Sequence, residues 1–384
     1  MSPYQEAFTP KLAFQVSSIM SYILVIVLAY YSFGCVQEDD RIPPTADSAL
    51  YFPPINSEEW ESISMDKLGW NTSELSKLLT FLEEKNTRAF IVLKDGKIVI
   101  EEYFGENILG TSSFGRNTRW YWASAGKTLT ATLVGIAQQE GLLSISKPTS
   151  DYLGKGWTSL PLGKEAMITV KNQLTMTTGL EYIIPDLNCT TPSCLRYRTD
   201  AGQQWFYHNA PYTLLKEVIE RATGMDYNEY TNRKISSLIG MNGQWVSQGN
   251  TNVFWSTGRD MARFGLLMLN KGKWHTTEVL RDEEYYKEMV TSSQRLNPSY
   301  GYLWWLNGKA SIIFPGLPLS YNLPLSKNAP SDLFAGIGKN GQFVEIIPSK
   351  NLVVIRMGEA PDDSLVPITF HDDMWEKIKL LINE

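Results

Sequence analysis

A serine and a lysine three residues apart stand at the head of an apolar run in "YWASAGKTLTATLVGIAQQEGLL", which begins at Tyr121. From Leu129 onward Leu133, Ile136 and Ala137 recur at the spacing of a helical face, and Gly141 is a fitting stop. Ser124 and Lys127 therefore share one side of a first turn. A serine hydroxyl at its ordinary pKa is a weak nucleophile and needs a base within hydrogen-bond reach. Lysine becomes such a base when burial disfavours its ammonium form. The helix start adds N–H groups aimed at the serine end, where an oxyanion would develop. The plainer alternative is a serine cap followed by a surface lysine, and the pair alone does not separate the two.

The elements that must position this pair come from a chain of 384 residues. That length serves either one large domain or a sheet domain with a helical partner. A formal net charge of -6 gives no basic footprint, so nucleic acid is not an expected partner. Twelve Trp and nineteen Tyr suit aromatic-lined clefts, although most aromatic side chains fill cores.

The N-terminus reads as separate from the fold. From Leu12 through Gln37 there is no charged residue, and Lys11 precedes the stretch. An uncharged run of this kind spans a bilayer, which needs roughly 20 apolar residues, or serves as an export signal. It closes on Ser32-Phe33-Gly34-Cys35, followed by Glu38, Asp39 and Asp40. This end resembles a bacterial lipoprotein signal with Cys35 as the lipidated residue, although Ser32 stands where such signals normally carry Leu. An uncleaved anchor is the alternative. Both readings place residues 1–35 as a signal or anchor, attach the protein to a membrane and send the main domain out of the cytoplasm. Cys189 and Cys194, in "NCTTPSC", have a spacing that a local loop can bridge, and an extracytoplasmic compartment favours the bond. Closing so short a loop contributes roughly 2 kcal/mol by chain entropy. No histidine lies near either cysteine, so no metal site is expected there.

Residues 36–56 are polar and proline-bearing, as a linker would be, which leaves 57–384 for the folded domain. A helix is expected from Thr72 to Lys85, with Asn71 and Glu74 as a capping box and Leu75, Leu78, Leu79 and Leu82 as its apolar stripe. "AFIVLKDGKIVIEEYF" reads as a hairpin turning at Asp95-Gly96. "FVEIIPSKNLVVIRMG" gives two more strands and "HDDMWEKIKLLI" a closing helix. Helical patterns dominate from roughly 114 to 308. The expected fold class is α+β: an antiparallel sheet built from both chain ends with flanking helices and an inserted, mostly helical subdomain, the site lying where the two meet.

Further segments follow in order: "ITVKNQLTMTTGLEY", "YHNAPYTLLKEVIERATGMDY", "STGRDMARFGLLMLNKGKW" and "YGYLWWLNG". With the Ser124 segment they resemble the serine β-lactamase and penicillin-binding-protein-like superfamily, in its class C-type branch. That branch includes class C β-lactamases, DD-peptidases, family VIII esterases and 6-aminohexanoate-dimer hydrolases. The resemblance runs from about Trp70 to the end and implies a β-lactamase/transpeptidase-like fold. It implies that Ser124 is acylated, that Lys127 activates it, and that Tyr207-His208-Asn209 is the Tyr-x-Asn motif. Tyr207 would exchange protons with nucleophile and leaving group, its phenol lowered from about 10 by a nearby ammonium. Asn209 would contact the substrate amide and the lysine.

The third motif departs from the family pattern. Lys339-Asn340-Gly341 invites comparison with Lys-Thr-Gly, but setting "FVEIIP" against the family's strand puts the motif near Leu333-Phe334-Ala335. The second register is preferred. Gly336 or Ile337 would then supply an oxyanion N–H, and no cation would fill the motif's lysine position. That lysine holds a substrate carboxylate in the family, so its loss shifts the expectation from β-lactams and terminal D-amino acids toward an ester or linear amide.

A Ser-His-Asp hydrolase is the rival within enzymes. Only His208, His275 and His371 are available, "WASAG" lacks the first glycine of a nucleophile elbow, and His208 should point away from Tyr207 if the segment is extended. The alternatives are a penicillin-binding, β-lactam-hydrolysing or β-lactam-sensing protein and, from another class, a catalytically silent binding lipoprotein. The reading is an exported serine hydrolase without metal or organic cofactor, acting on a small ester, amide or peptide-like substrate. Oligomeric state is left open.

Overall fold

The computed structural model describes residues 50–364 and 366–384. The expected signal or anchor, Cys35 and the first part of the linker lie outside the described residues. The described end of that linker lies on the domain: the Tyr51 N–H donates to the Asp95 carbonyl at 3.0 Å, and Arg263 donates to the Pro54 carbonyl at 2.9 Å.

Six strands form one sheet. They are β1 (Thr87–Lys94), β2 (Lys97–Tyr103), β3 (Trp305–Leu306), β4 (Phe334–Gly338), β5 (Gln342–Ile347) and β6 (Leu352–Gly358). Their order is β2-β1-β6-β5-β4-β3, and every neighbouring pair is antiparallel. Both chain ends supply it, as the two hairpin patterns require. Asp95 and Gly96 turn the first hairpin with φ of 52° and 82°, the left-handed pair that a two-residue loop demands.

Four helices bear on the site: α1 (Leu75–Glu84), α2 (Lys127–Gln139), α3 (Gly258–Leu269) and α4 (Ile368–Leu381). The expected capping box at Asn71 does not form. Residues Thr72–Glu74 make a 3-10 turn instead, and the Asn71 side chain accepts from the Ser73 hydroxyl at 2.6 Å. On one sheet face α4 packs Phe370 against Phe343 (ring centroids 6.0 Å), and Phe81 of α1 stacks on Phe370 at 5.6 Å. On the other, α3 presses its backbone onto β6, where a Cβ at Gly265 would stand 2.5 Å from Val353 Cγ1. With helices on both faces, β5 and β6 are buried at every position, which explains their largely apolar sequence; Gln342, Glu345 and Arg356 are the buried polar exceptions.

Between 114 and 308 lies most of the helix and also a small sheet that sequence patterning did not announce. Trp120–Tyr121, Gln244–Gln248 and Thr251–Ser256 pair antiparallel, the last two as a hairpin through Gly249-Asn250. Helix α2 runs through the middle of this region and is buried from Lys127 to Ala137. Its threonines survive burial because their hydroxyls are partnered: Thr128 donates to the Ala125 carbonyl (2.7 Å), Thr132 to the Thr128 carbonyl (3.0 Å), and Thr130 meets the Tyr227 hydroxyl (2.7 Å).

Candidate active site

Ser124 sits in the tight turn Ala123–Gly126 that feeds α2. The small sheet fixes this turn from behind, because the Trp122 N–H donates to the Phe254 carbonyl (2.8 Å) and its ring N–H to the Ser256 hydroxyl (2.8 Å). Ala123 adopts φ 47°, a left-handed conformation that costs a side-chain-bearing residue about 1 kcal/mol or more. Strand β4 lies directly against the turn, and two glycines make that approach possible. A Cβ at Gly338 would stand 2.6 Å from the Trp122 carbonyl and 3.0 Å from the Ala125 nitrogen, and one at Gly336 would meet Thr128 Cγ2 at 2.9 Å.

The Lys127 ammonium nitrogen lies 3.2 Å from Ser124 Oγ. The side chain is 5 % exposed, and desolvation alone lowers its pKa from 10.5 to about 7. In place of a carboxylate it has aromatic faces, with Nζ 4.0 Å from the Tyr212 ring centroid and 5.2 Å from that of Tyr207. Such faces stabilise the cation by about 0.5–2 kcal/mol without neutralising it. The amine is thus poised between its charged and neutral forms near neutral pH.

Tyr207 precedes the short helix Asn209–Thr213. Its ring stacks on Trp305 of β3 at 5.9 Å and meets Tyr300 edge-on at 6.3 Å, so the main sheet and the inserted region both locate it. Burial holds the phenol above its usual range, and a hydrogen bond with Ser124 offsets part of that rise. The expected lowering of this phenol below its usual range is not found in the resting site, because burial outweighs what favours the phenolate.

Asn209 does not bond to Lys127. Its amide donates to Asn188 Oδ1 at 3.0 Å, while its own carbonyl oxygen is buried without a partner. Asn188 immediately precedes the loop closed by a Cys189–Cys194 disulfide, and the adjacent Leu187 carbonyl accepts from the Ala210 N–H at 2.9 Å. The segment leading into the disulfide therefore docks onto the Tyr-x-Asn segment.

Strand register separates Gly336 from Ile337. The Asn307 N–H donates to the Leu333 carbonyl, so residues 333, 335 and 337 turn their backbone groups toward β3. Gly336 faces β5, opposite Val344, and its N–H is spent in the sheet. Pairing with β3 stops at Ala335–Trp305, which leaves the Ile337 backbone at an open edge, and Ile337 lines a recess with Ser124 and Tyr207. Of the two residues, only Ile337 has a backbone N–H directed away from the ladder.

Two recesses meet at Ser124. One, of about 230 Å³, is lined by Tyr121, Lys127, Tyr212 and Asn252; the other, of about 220 Å³, by Leu187, Tyr207, Trp305 and Ile337. Asn209 and Lys339 border both. Lys339 is exposed and follows β4 rather than lying on it, so the strand position of the motif carries no lysine, yet a cation stands at the rim. Its turn is rigid: the fully buried Arg356 donates to the Gly341 carbonyl at 3.0 Å, and the Asn340 amide donates to the Tyr121 hydroxyl at 2.8 Å. A larger cavity of about 590 Å³ lies away from Ser124, around Arg259 and Arg263. Glu101 and backbone carbonyls already engage those guanidinium groups.

The histidines play no part at Ser124. His208 is buried with its Nε2 unpartnered and its pKa pushed down to about 4 by desolvation, and it faces Phe206. His275 is exposed, and His371 bonds to Glu345 beside α4. Among the described residues no group of His, Cys, Asp and Glu could hold a metal ion. Sequence reading missed Tyr212, whose i+3 spacing from Asn209 on a helix was the available signal, and it missed Trp305 and Leu187, which tertiary packing alone brings in.

A family model described as Beta-lactamase matches residues 82–363, and the chain belongs to that family. It is 22% identical over 349 residues to the 6-aminohexanoate-dimer hydrolase of Paenarthrobacter ureafaciens, a match covering 83% of this chain and 83% of that protein. In fold it is similar to a penicillin-binding protein homolog from Caulobacter crescentus (TM-score 0.62, 13% identity, 81% of this chain and 98% of the other). It is similar as well to the penicillin binding protein from Bacillus halodurans (TM-score 0.55, 18% identity, 73% and 95%). The β-lactamase-like, serine-hydrolase-type fold is common to all.

Proposed function

We propose that the protein is a serine hydrolase that cleaves an ester or linear amide through an acyl group carried on Ser124. The observation that carries this reading is the 3.2 Å contact between Ser124 Oγ and a lysine brought by burial to a pKa of about 7. Neutral Lys127 takes the Ser124 proton as Oγ bonds to the carbonyl carbon, and the carbonyl electron pair moves onto oxygen. The N–H groups of Ser124 and Ile337 hold that oxyanion. As the carbonyl re-forms, the bond to the leaving group breaks, and the leaving atom takes the Tyr207 proton. Lys127, now an ammonium beside the phenol, lowers the cost of that transfer and restores the proton. Water attacks the acyl-serine by the same route and releases the carboxylic acid. The free Asn209 carbonyl oxygen would accept from a substrate amide N–H.

The test compares wild type with Ser124→Ala on p-nitrophenyl butanoate. Turnover confined to wild type supports the reading, and turnover retained by Ser124→Ala contradicts it.

One observation favours a second reading, capture of carboxylate-bearing substrates such as penicillins: Lys339 stands at both recesses. A lasting penicillin adduct on Ser124 would establish it. We also propose that the domain works outside the cytoplasm, attached through its N-terminus. The Cys189–Cys194 bond and the uncharged run 12–37 support this placement. Loss of membrane fractionation in Cys35→Ala would mark lipidation as the attachment.

A further inference from the structure

The recess that holds Tyr207 and Trp305 does not end at the catalytic turn. Leu187 and Gly316, which border it, also border an open groove of about 590 Å³ lined by Tyr182, Ile183, Ile184, Pro185, Phe206 and Pro318. No charged side chain lines this groove, and Ile183 stands 70 % exposed beside it. Leu317 and Leu319, flanking Pro318, are exposed as well. Exposed apolar side chains grouped at the mouth of a site mark a surface that something apolar covers.

The groove is built rather than incidental. Its floor is a face-to-face pair, Tyr182 on Phe206, with ring centroids 3.9 Å apart and planes within 9°. The Arg198 guanidinium caps Tyr182 at 4.2 Å from its centroid and is itself held by Glu181. The Leu187 wall is fixed through its carbonyl to Ala210 and through Asn188 to Asn209, just ahead of the Cys189–Cys194 bond. The opposite wall is the Pro315–Pro318 segment, whose Gly316 turns with φ 79°. A rigid apolar trough that opens onto the nucleophile suits a flexible hydrocarbon better than it suits a polar peptide.

We propose that the substrate carries a long apolar arm, which leaves Ser124 between Leu187 and Gly316 and lies along this groove. The proposal rests on the serine hydrolase reading and names its substrate class: esters or amides with an extended alkyl chain. The polar recess around Asn252 and Lys339 takes the remainder of the molecule.

The experiment uses two ester series, p-nitrophenyl esters from acetyl to octanoyl and acetate esters from ethyl to octyl, so that the chain grows on either side of the scissile bond. Wild type, Ile183→Asp, Ile183→Leu and Ser124→Ala are compared below the solubility limit of each ester. In an open trough each methylene is about half covered, so kcat/KM should rise roughly twofold per methylene in one of the series. Ile183→Asp should flatten that rise while leaving the shortest ester unaffected, and Ile183→Leu should keep it. Ile183 is exposed, so the charge does not threaten folding. Ser124-dependent turnover that is flat with chain length in both series overturns the proposal, as does a slope that Ile183→Asp leaves unchanged. Turnover that survives in Ser124→Ala instead overturns the hydrolase reading itself, which keeps the two failures apart.

Discussion

The Lys127 amine lies 3.2 Å from the Ser124 hydroxyl with aromatic faces rather than a carboxylate around it, and its burial gives the nucleophile a base that is about half neutral at pH 7. Below that pH the amine is an ammonium and cannot accept the serine proton. The expected kcat/KM therefore falls about tenfold per pH unit below 7 and levels off above it. A pH profile measured with a neutral ester checks this, and a flat acid limb would contradict it.

The same burial works against the fold. Lys127 titrates at about 7 in the folded chain and at 10.5 in its ordinary environment. Between these values the unfolded chain binds a proton that the folded chain lacks, so stability rises with pH across that window and the penalty is complete below about 7. Lys127→Met should raise the melting temperature at neutral pH, through relief of a few kcal/mol, while removing activity. A melting temperature below that of wild type would show that the lysine is stabilising.

Tyr207 is held by Trp305 and Tyr300 whether or not it carries its hydroxyl. Tyr207→Phe should fold normally and lose about 10²–10⁴ in kcat on an amide or alkyl ester. With p-nitrophenyl esters, whose leaving group departs as a stable anion, the loss should be much smaller. Equal losses on both would assign the phenol a role other than protonating the leaving atom.

Gly338 carries no side chain because the nucleophile turn occupies the space. Gly338→Ala should push β4 away from Ser124, destabilise the fold by about 1–3 kcal/mol and cut acylation disproportionately, because the Ile337 N–H moves with the strand. Calorimetry paired with single-turnover kinetics separates the two effects.

Lys339 is free of acidic partners within ion-pair reach among the described residues and borders both recesses. Lys339→Gln should raise KM about tenfold for esters bearing a free carboxylate and leave neutral esters unchanged. An equal change on both would place the cation outside substrate contact.

Much of this site was legible in the residues. Ser124, Lys127 and Tyr207 stand out by type and spacing, and the Asp95-Gly96 and Pro348–Asn351 turns bracket their hairpins because two-residue and proline-led turns have strong local chemistry. What local chemistry does not encode came from packing. The titration of Lys127 depends on the burial of its helix among other elements, and the fate of Asn209 depends on a loop ending at a disulfide. The choice between Gly336 and Ile337 needed a strand register, which alternates by single residues. Asn71 looked like a helix cap because Asn and Glu recur at that spacing, but a serine two residues on offered its side chain a closer partner.

The central claim is that Ser124 is a nucleophile activated by neutral Lys127. The most direct measurement is intact-protein mass spectrometry of the domain after Cys35, timing the adduct formed by a fluorophosphonate from pH 5 to 9 in wild type, Ser124→Ala and Lys127→Arg. The expected result is one adduct per wild-type chain, none on Ser124→Ala, and a labelling rate that rises through about pH 7 and collapses in Lys127→Arg. An adduct that persists on Ser124→Ala, or a rate independent of both pH and Lys127, would contradict it.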